Sequence, residues 1–131
     1  MPENLPSAFY NALEEFNQGA YFACHETLEA LWIPEKRAVR ELYQGVLQIA
    51  VGCYHLVERT NWVGAVNKLE AGARRLERAL PDDLRASKLY GVDWGQLITD
   101  ADTLQAHLRT LGRGNCAHFE NVLLPKILFS L

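Results

Sequence analysis

The chain has 131 residues, enough for one domain with a single core. Hydrophobic residues make up 49% of it and charged residues 22%, a balance that excludes a disordered chain. A net charge of −3 offers a phosphate backbone no overall attraction, so nucleic acid is not an expected partner.

The spacing of Phe9, Leu13 and Phe16 after Pro6-Ser7 predicts a first helix, and Asn17-Gln18-Gly19 ends it. Gly19 suits a left-handed cap. A second helix is expected from about Ala20 to Trp32, stopping ahead of Pro34 because the residue before a proline disfavours helical angles. The third runs from about Glu35 to Glu58 and contains LYQGVLQIAVGCYHLV, residues 42–57, apolar on nearly every side. That run is shorter than the ~20 residues of a membrane span and carries Gln44, Gln48 and His55. It reads as a core helix, and no membrane association is expected.

Asn61 is the expected N-cap of a fourth helix that reaches Leu80 and is halted by Pro81. Its Ala65, Leu69, Gly72, Leu76 and Leu80 recur at three- and four-residue steps. Gly64, Gly72 and Ala73 are small enough to let it lie close to the central helix. The basic run from Lys68 to Arg78 contains Arg74 and Arg75 but also Glu70 and Glu77, and reads as a solvated face. Residues 82–92 form a polar turn region with one helical turn around Leu84–Leu89. Asp93 caps a fifth helix, Trp94 to Leu111, with Leu97, Leu104, Leu108 and Leu111 inward.

After a flexible break at residues 112–115, the tail FENVLLPKILFSL either packs across the bundle in extended form or crosses to a second copy. The second course would make the protein a homodimer. No stretch is strongly β and no repeat period appears. The expected class is all-α, a single compact bundle of about five helices spanning residues 1–131. The three cysteines have no metal-ligand spacing, and the first ten residues carry no basic or apolar signal segment. Both observations lead to a reducing, cytoplasmic setting as the expectation.

The polar residues of the central helix share one line. Gln44, Gln48, Val51 and His55 fall within about 60° of one another, and Arg40 continues the line one turn earlier. On the second helix, Phe22, His25, Glu26, Glu29, Trp32 and Ile33 occupy about a third of the circumference. His25 and Glu29 are four apart and can touch. If Phe22 and Trp32 are core anchors, the two polar sets meet between the helices: His25, Glu26 and Glu29 against Arg40, Gln44, Gln48 and His55. The leading reading is a structural hydrogen-bond network in a binding or interaction protein. A second places a divalent metal (zinc, iron or manganese) on His25, Glu29 and His55. The third uses Glu26 or Glu29 with an imidazole for acid–base chemistry on a small ligand. HETLE resembles the zinc signature HExxH, but Glu29 stands where the second histidine would be, so His55 must supply it. His107 and His118 are isolated and read as surface or satisfied histidines.

Three ordered segments, FNQGAYFACHETLEALW, YQGVLQIAVGCYH and NWVGAVNKLEAGARRL, together resemble domain-of-unknown-function family 309. The resemblance is close over about residues 13–80 and looser at GVDWGQLITD. It implies a small, soluble, all-α bundle protein, and it implies no activity or cofactor. The matching residues include His25, Glu26, Glu29, Trp32, Gln44, Gln48, His55 and Asn61, largely the face found by counting.

Overall fold

The computed structural model describes residues 1–131 and is all-helical. Five helices of eleven residues or more make the body: α1 Ser7–Asn17, α2 Tyr21–Trp32, α3 Arg40–Val57, α4 Trp62–Ala79 and α6 Trp94–Leu111. A one-turn helix, α5 (Asp82–Ala86), and three short 3-10 turns fill the connections. No helix is long and apolar enough to cross a membrane.

The local signals that start and stop these helices operate as their chemistry requires. Asn61 accepts from the Gly64 amide at 3.0 Å and caps α4, and Asp93 does the same for α6 through Gln96. Gly19 takes φ +79° just past α1, the left-handed turn that Cβ-bearing residues resist. The start of α3 is five residues later than the sequence suggests. The Glu35 carboxylate accepts from the Arg37 backbone amide and from its guanidinium, which ties residues 35–37 into a turn instead of a first helical turn.

α3 packs between α2 and α4; α1 lies against α2, and α6 covers the other side of α4. α3 and α4 come closest. A Cβ on Gly72 would lie 2.7 Å from the Gly45 carbonyl, so the backbones meet where both chains lack a side chain. The core they enclose includes Phe9, Phe16, Leu28, Tyr43, Ile49, Leu69, Leu76 and Trp94, all fully buried. Between α4 and α6, the Trp62 indole donates to the Leu108 carbonyl at 2.8 Å and the buried Gln105 to the Val66 carbonyl at 3.2 Å.

The tail takes the first of its two expected courses. Asn17 clasps both backbone groups of Ile127, at 2.7 and 2.8 Å, and the Ser130 amide donates to the Gly91 carbonyl. Phe129 pairs with Val92 in a single antiparallel bridge. Gly91, at φ +79°, has no room for a Cβ beside the Ser130 carbonyl.

Candidate functional site

α2 presents a different face to the core than its largest side chains suggest. Its buried stripe is Tyr21, Cys24 and Leu28, whereas Phe22 is 53% exposed and Ile33 64%. The charges explain the rotation. His25, Glu26 and Glu29 cannot all be buried without partners, so the helix turns Glu26 out and His25 and Glu29 to the rim, and carries Phe22 and Ile33 with them. Glu26 is exposed and touches none of the groups it was expected to join.

The polar stripe of α3 consequently finds other partners. Gln48, buried among apolar neighbours, accepts from Arg75 Nε of α4 at 3.1 Å. The same guanidinium holds the Glu41 carboxylate about two helical turns earlier on α3. Arg75 therefore bridges α4 to two turns of α3, and it comes from the run read as solvated. Its neighbour Arg74 is also engaged, with Asp102 of α6 at 2.6 Å and Glu77 at 2.8 Å. Arg40 donates to the Glu35 carbonyl at 2.9 Å and lies 4.8 Å above the Trp32 ring. Arg75 had one sequence signal: three residues after Gly72, it borders the buried stripe of α4.

His25 and His55 do come together. With Tyr21, Phe22, Val51 and Tyr54 they line a small cleft of about 140 Å³ between α2 and α3. The Phe22 ring stands 5.7 Å from those of both His25 and Tyr54, and Tyr54 is 6.1 Å from His55. His25 Nε2 is 3.0 Å from the Glu29 carboxylate, a partly exposed pair with side chains 27% and 46% accessible. The Nδ1 atoms of both histidines are buried without hydrogen-bond partners, as is Oε1 of Gln44 nearer the start of α3. Burial, followed by the positive charges of Lys68 and Arg59, pushes the His55 pKa down and favours its neutral form. Gly64 makes room for that ring, since a Cβ there would sit 2.8 Å from two of its atoms.

The metal reading fares differently. No group of three or more His, Cys, Asp and Glu side chains is placed to hold a metal ion, so His25, Glu29 and His55 are not assembled as a ligand set. The reason is the rotation of α2, which spends Nε2 of His25 on Glu29 at the rim. Cys24 and Cys53 are buried free thiols, and desolvation raises both pKa values, that of Cys53 to about 12, so neither is a ready ligand or nucleophile. His107 accepts from the Glu120 amide, and His118 is exposed. A roomier crevice of about 560 Å³ lies between α5 and the start of α6, but its acids are already engaged. Asp102 and Glu77 pair with Arg74, Asp82 pairs with Arg85, and Asp93 caps α6.

A small helical domain, with a half-buried amide–guanidinium bridge toward the start of α3 and an imidazole-lined cleft toward its end, is the class that fold and site define. Residues 9–67, from α1 into α4, match the family described as Domain of unknown function (DUF309). The matched segment contains every residue of the cleft, while Arg75 lies beyond it. Neither the curated proteins nor the solved structures gave a match.

Proposed function

We propose that this chain is a binding domain in which the polar stripe of α3 is divided between two tasks. Its first half, Gln48 and Glu41 with Arg75 of α4, is a structural network that fixes the register of the α3–α4 pair. Its second half, where His55 meets His25 across the cleft, recognises a small ligand. One observation carries the reading: two imidazoles from different helices line one cleft, and each has a buried nitrogen with no partner. An unpaired buried polar atom costs roughly 1–3 kcal/mol, and a bound group that supplies the missing bond recovers part of that.

The test is a protein-observed NMR screen of small uncharged fragments. Shifts should concentrate on Tyr21, Phe22, His25, Val51, Tyr54 and His55. Hits that cluster on another surface, or none at millimolar fragment, would remove the cleft from consideration.

The His25–Glu29 contact at 3.0 Å favours a second reading, acid–base chemistry at the same cleft. Glu29 would orient the ring and hold the Nε2 proton, leaving Nδ1 to accept one from the ligand. Cleavage of p-nitrophenyl acetate that is lost in His25→Gln but kept in His118→Gln is its assay.

A further inference from the structure

The cleft's chemistry narrows what it can take. None of the six residues that line it is Lys, Arg, Asp or Glu, so a charged group entering would shed its water with no counter-ion to meet it. The walls are instead the rings of Tyr21, Phe22 and Tyr54, the Val51 side chain and the two imidazoles. Its volume, about 140 Å³, is close to the ~150 Å³ apolar cavity that accepts benzene in another protein. One six-membered ring is therefore the size of the body that fits.

The hydrogen-bond inventory sets the polar handle. Glu29 accepts from Nε2 of His25, so in the neutral imidazole the proton is on Nε2 and Nδ1 carries a lone pair. Nδ1 of His25 is buried and unpaired. A ligand that brings another acceptor leaves that lone pair unmet; one that brings an O–H satisfies it.

We propose that the α2–α3 cleft binds a neutral, single-ring molecule of the phenol class, whose hydroxyl donates to His25 Nδ1 while its ring stacks against Phe22 and Tyr54. This rests on the cleft being the ligand site, as proposed above, and adds the ligand's class. Nδ1 is buried and Phe22 is half-exposed, so binding requires the His25 ring to turn toward the ligand and the Phe22 ring to give way.

The experiment uses the full chain, ¹⁵N-labelled, titrated separately with phenol, anisole and benzoate. Phenol should shift the amides of Val51, Tyr54 and His55 and move the ring Nδ1 resonance of His25. Anisole, whose oxygen has no proton to give, should bind roughly threefold to tenfold more weakly and leave that nitrogen resonance in place. Benzoate should not bind. Val51→Phe, which fills the cleft, should abolish the phenol response, and Phe22→Ala should weaken it without touching the core. Anisole binding at the cleft as tightly as phenol, or benzoate binding there at all, overturns the ligand class and leaves the cleft as a binding site. Absence of any cleft shift with all three probes, in a protein that remains folded, overturns both proposals. A phenol response undiminished in both variants places the ligand elsewhere and does the same.

Discussion

Replacing Gly72 with alanine should destabilise this protein, against the usual sign of that change in a helix. The ordinary effect of Gly→Ala inside a helix is a gain of about 0.5–1 kcal/mol. At Gly72 a Cβ would lie 2.6 Å from Ile49 Cγ1, 2.7 Å from the Gly45 carbonyl and 3.0 Å from the Ile49 amide nitrogen. Comfortable carbon contacts need roughly 3.5–4.0 Å, and two of the three obstacles are α3 backbone that cannot swing aside. α3 and α4 would have to part by about an ångström, loosening Ile49 and Leu69 together. Overpacking of this kind costs about 1–3 kcal/mol, so the net loss should be about 1–2 kcal/mol.

For a domain of 131 residues that corresponds to a fall in Tm of roughly 3–10 °C. Gly95→Ala is the internal control. Near the start of α6, its Cβ would meet only Asp93 Oδ1 at 3.9 Å, so the propensity gain acts alone and Tm should stay level or rise. Thermal unfolding followed by circular dichroism, with urea midpoints as a second measure, compares the three proteins. A Gly72→Ala protein as stable as the parent would refute the argument that contact between backbones sets the α3–α4 distance.

Arg75→Met should cost about 1–2 kcal/mol by leaving the Gln48 oxygen buried and unpaired, and Gln48→Leu in the same chain should recover much of it. Urea midpoints for the double-mutant cycle decide this; strictly additive losses would dissolve the bridge as an energetic unit. Because burial, Lys68 and Arg59 lower the His55 pKa in the folded state, the neutral ring's contribution to stability is fully present above the unfolded value near 6.5 and is lost as pH falls through the lower folded value. Stability between pH 6.5 and 5 should therefore slope less steeply in His55→Gln than in the parent, and equal slopes would count against the assignment. Gly64→Ala should leave Tm within a degree or two, since helix propensity gains what displacement of the His55 ring costs, yet it should disturb the cleft and its phenol response. With His25, Glu29 and His55 not grouped for a metal, EDTA should leave the melting curve of protein purified without added metal unchanged.

What the sequence made legible was the punctuation of the helices and the close packing of α4 on α3. Asn61 and Asp93 are short polar side chains immediately before apolar runs, and the caps are local enough that no tertiary contact overrides them. Gly72 and Ala73 on the inner stripe of α4 pointed to close packing, which the backbone contact with Gly45 bears out. The orientation of α2 was not legible in the same way. It is apolar on two sides, Tyr21–Cys24–Leu28 and Phe22–Trp32–Ile33, and side-chain size favours the second. The deciding terms were the desolvation of three charged or imidazole groups on that second face, and the fit of smaller side chains against α3. Arg75 was hidden for a related reason: a guanidinium flanked by carboxylates in sequence looks solvated, and only the placement of Gln48 on a neighbouring helix makes it a partner.

The division of the α3 stripe follows from the direction in which α4 returns. α4 starts beside the end of α3, where Asn61 donates its amide to the His55 carbonyl, and it runs back toward the start of α3. Late in α4, where the first turns of α3 lie alongside, it offers Arg75, and the amide and carboxylate there close around it. Early in α4, beside the last turn of α3, it offers Gly64, which has no side chain to donate from and leaves space for a ring. The α2 side does not compensate, because the Glu29 carboxylate takes the outer nitrogen of His25 and leaves the inner one unserved. One return helix thus supplies a partner at one end of α3 and a gap at the other. Apart from Oε1 of Gln44 near the start of α3, the unmet hydrogen-bonding capacity of α2 and α3 lies toward that gap, where His25 and His55 line the cleft.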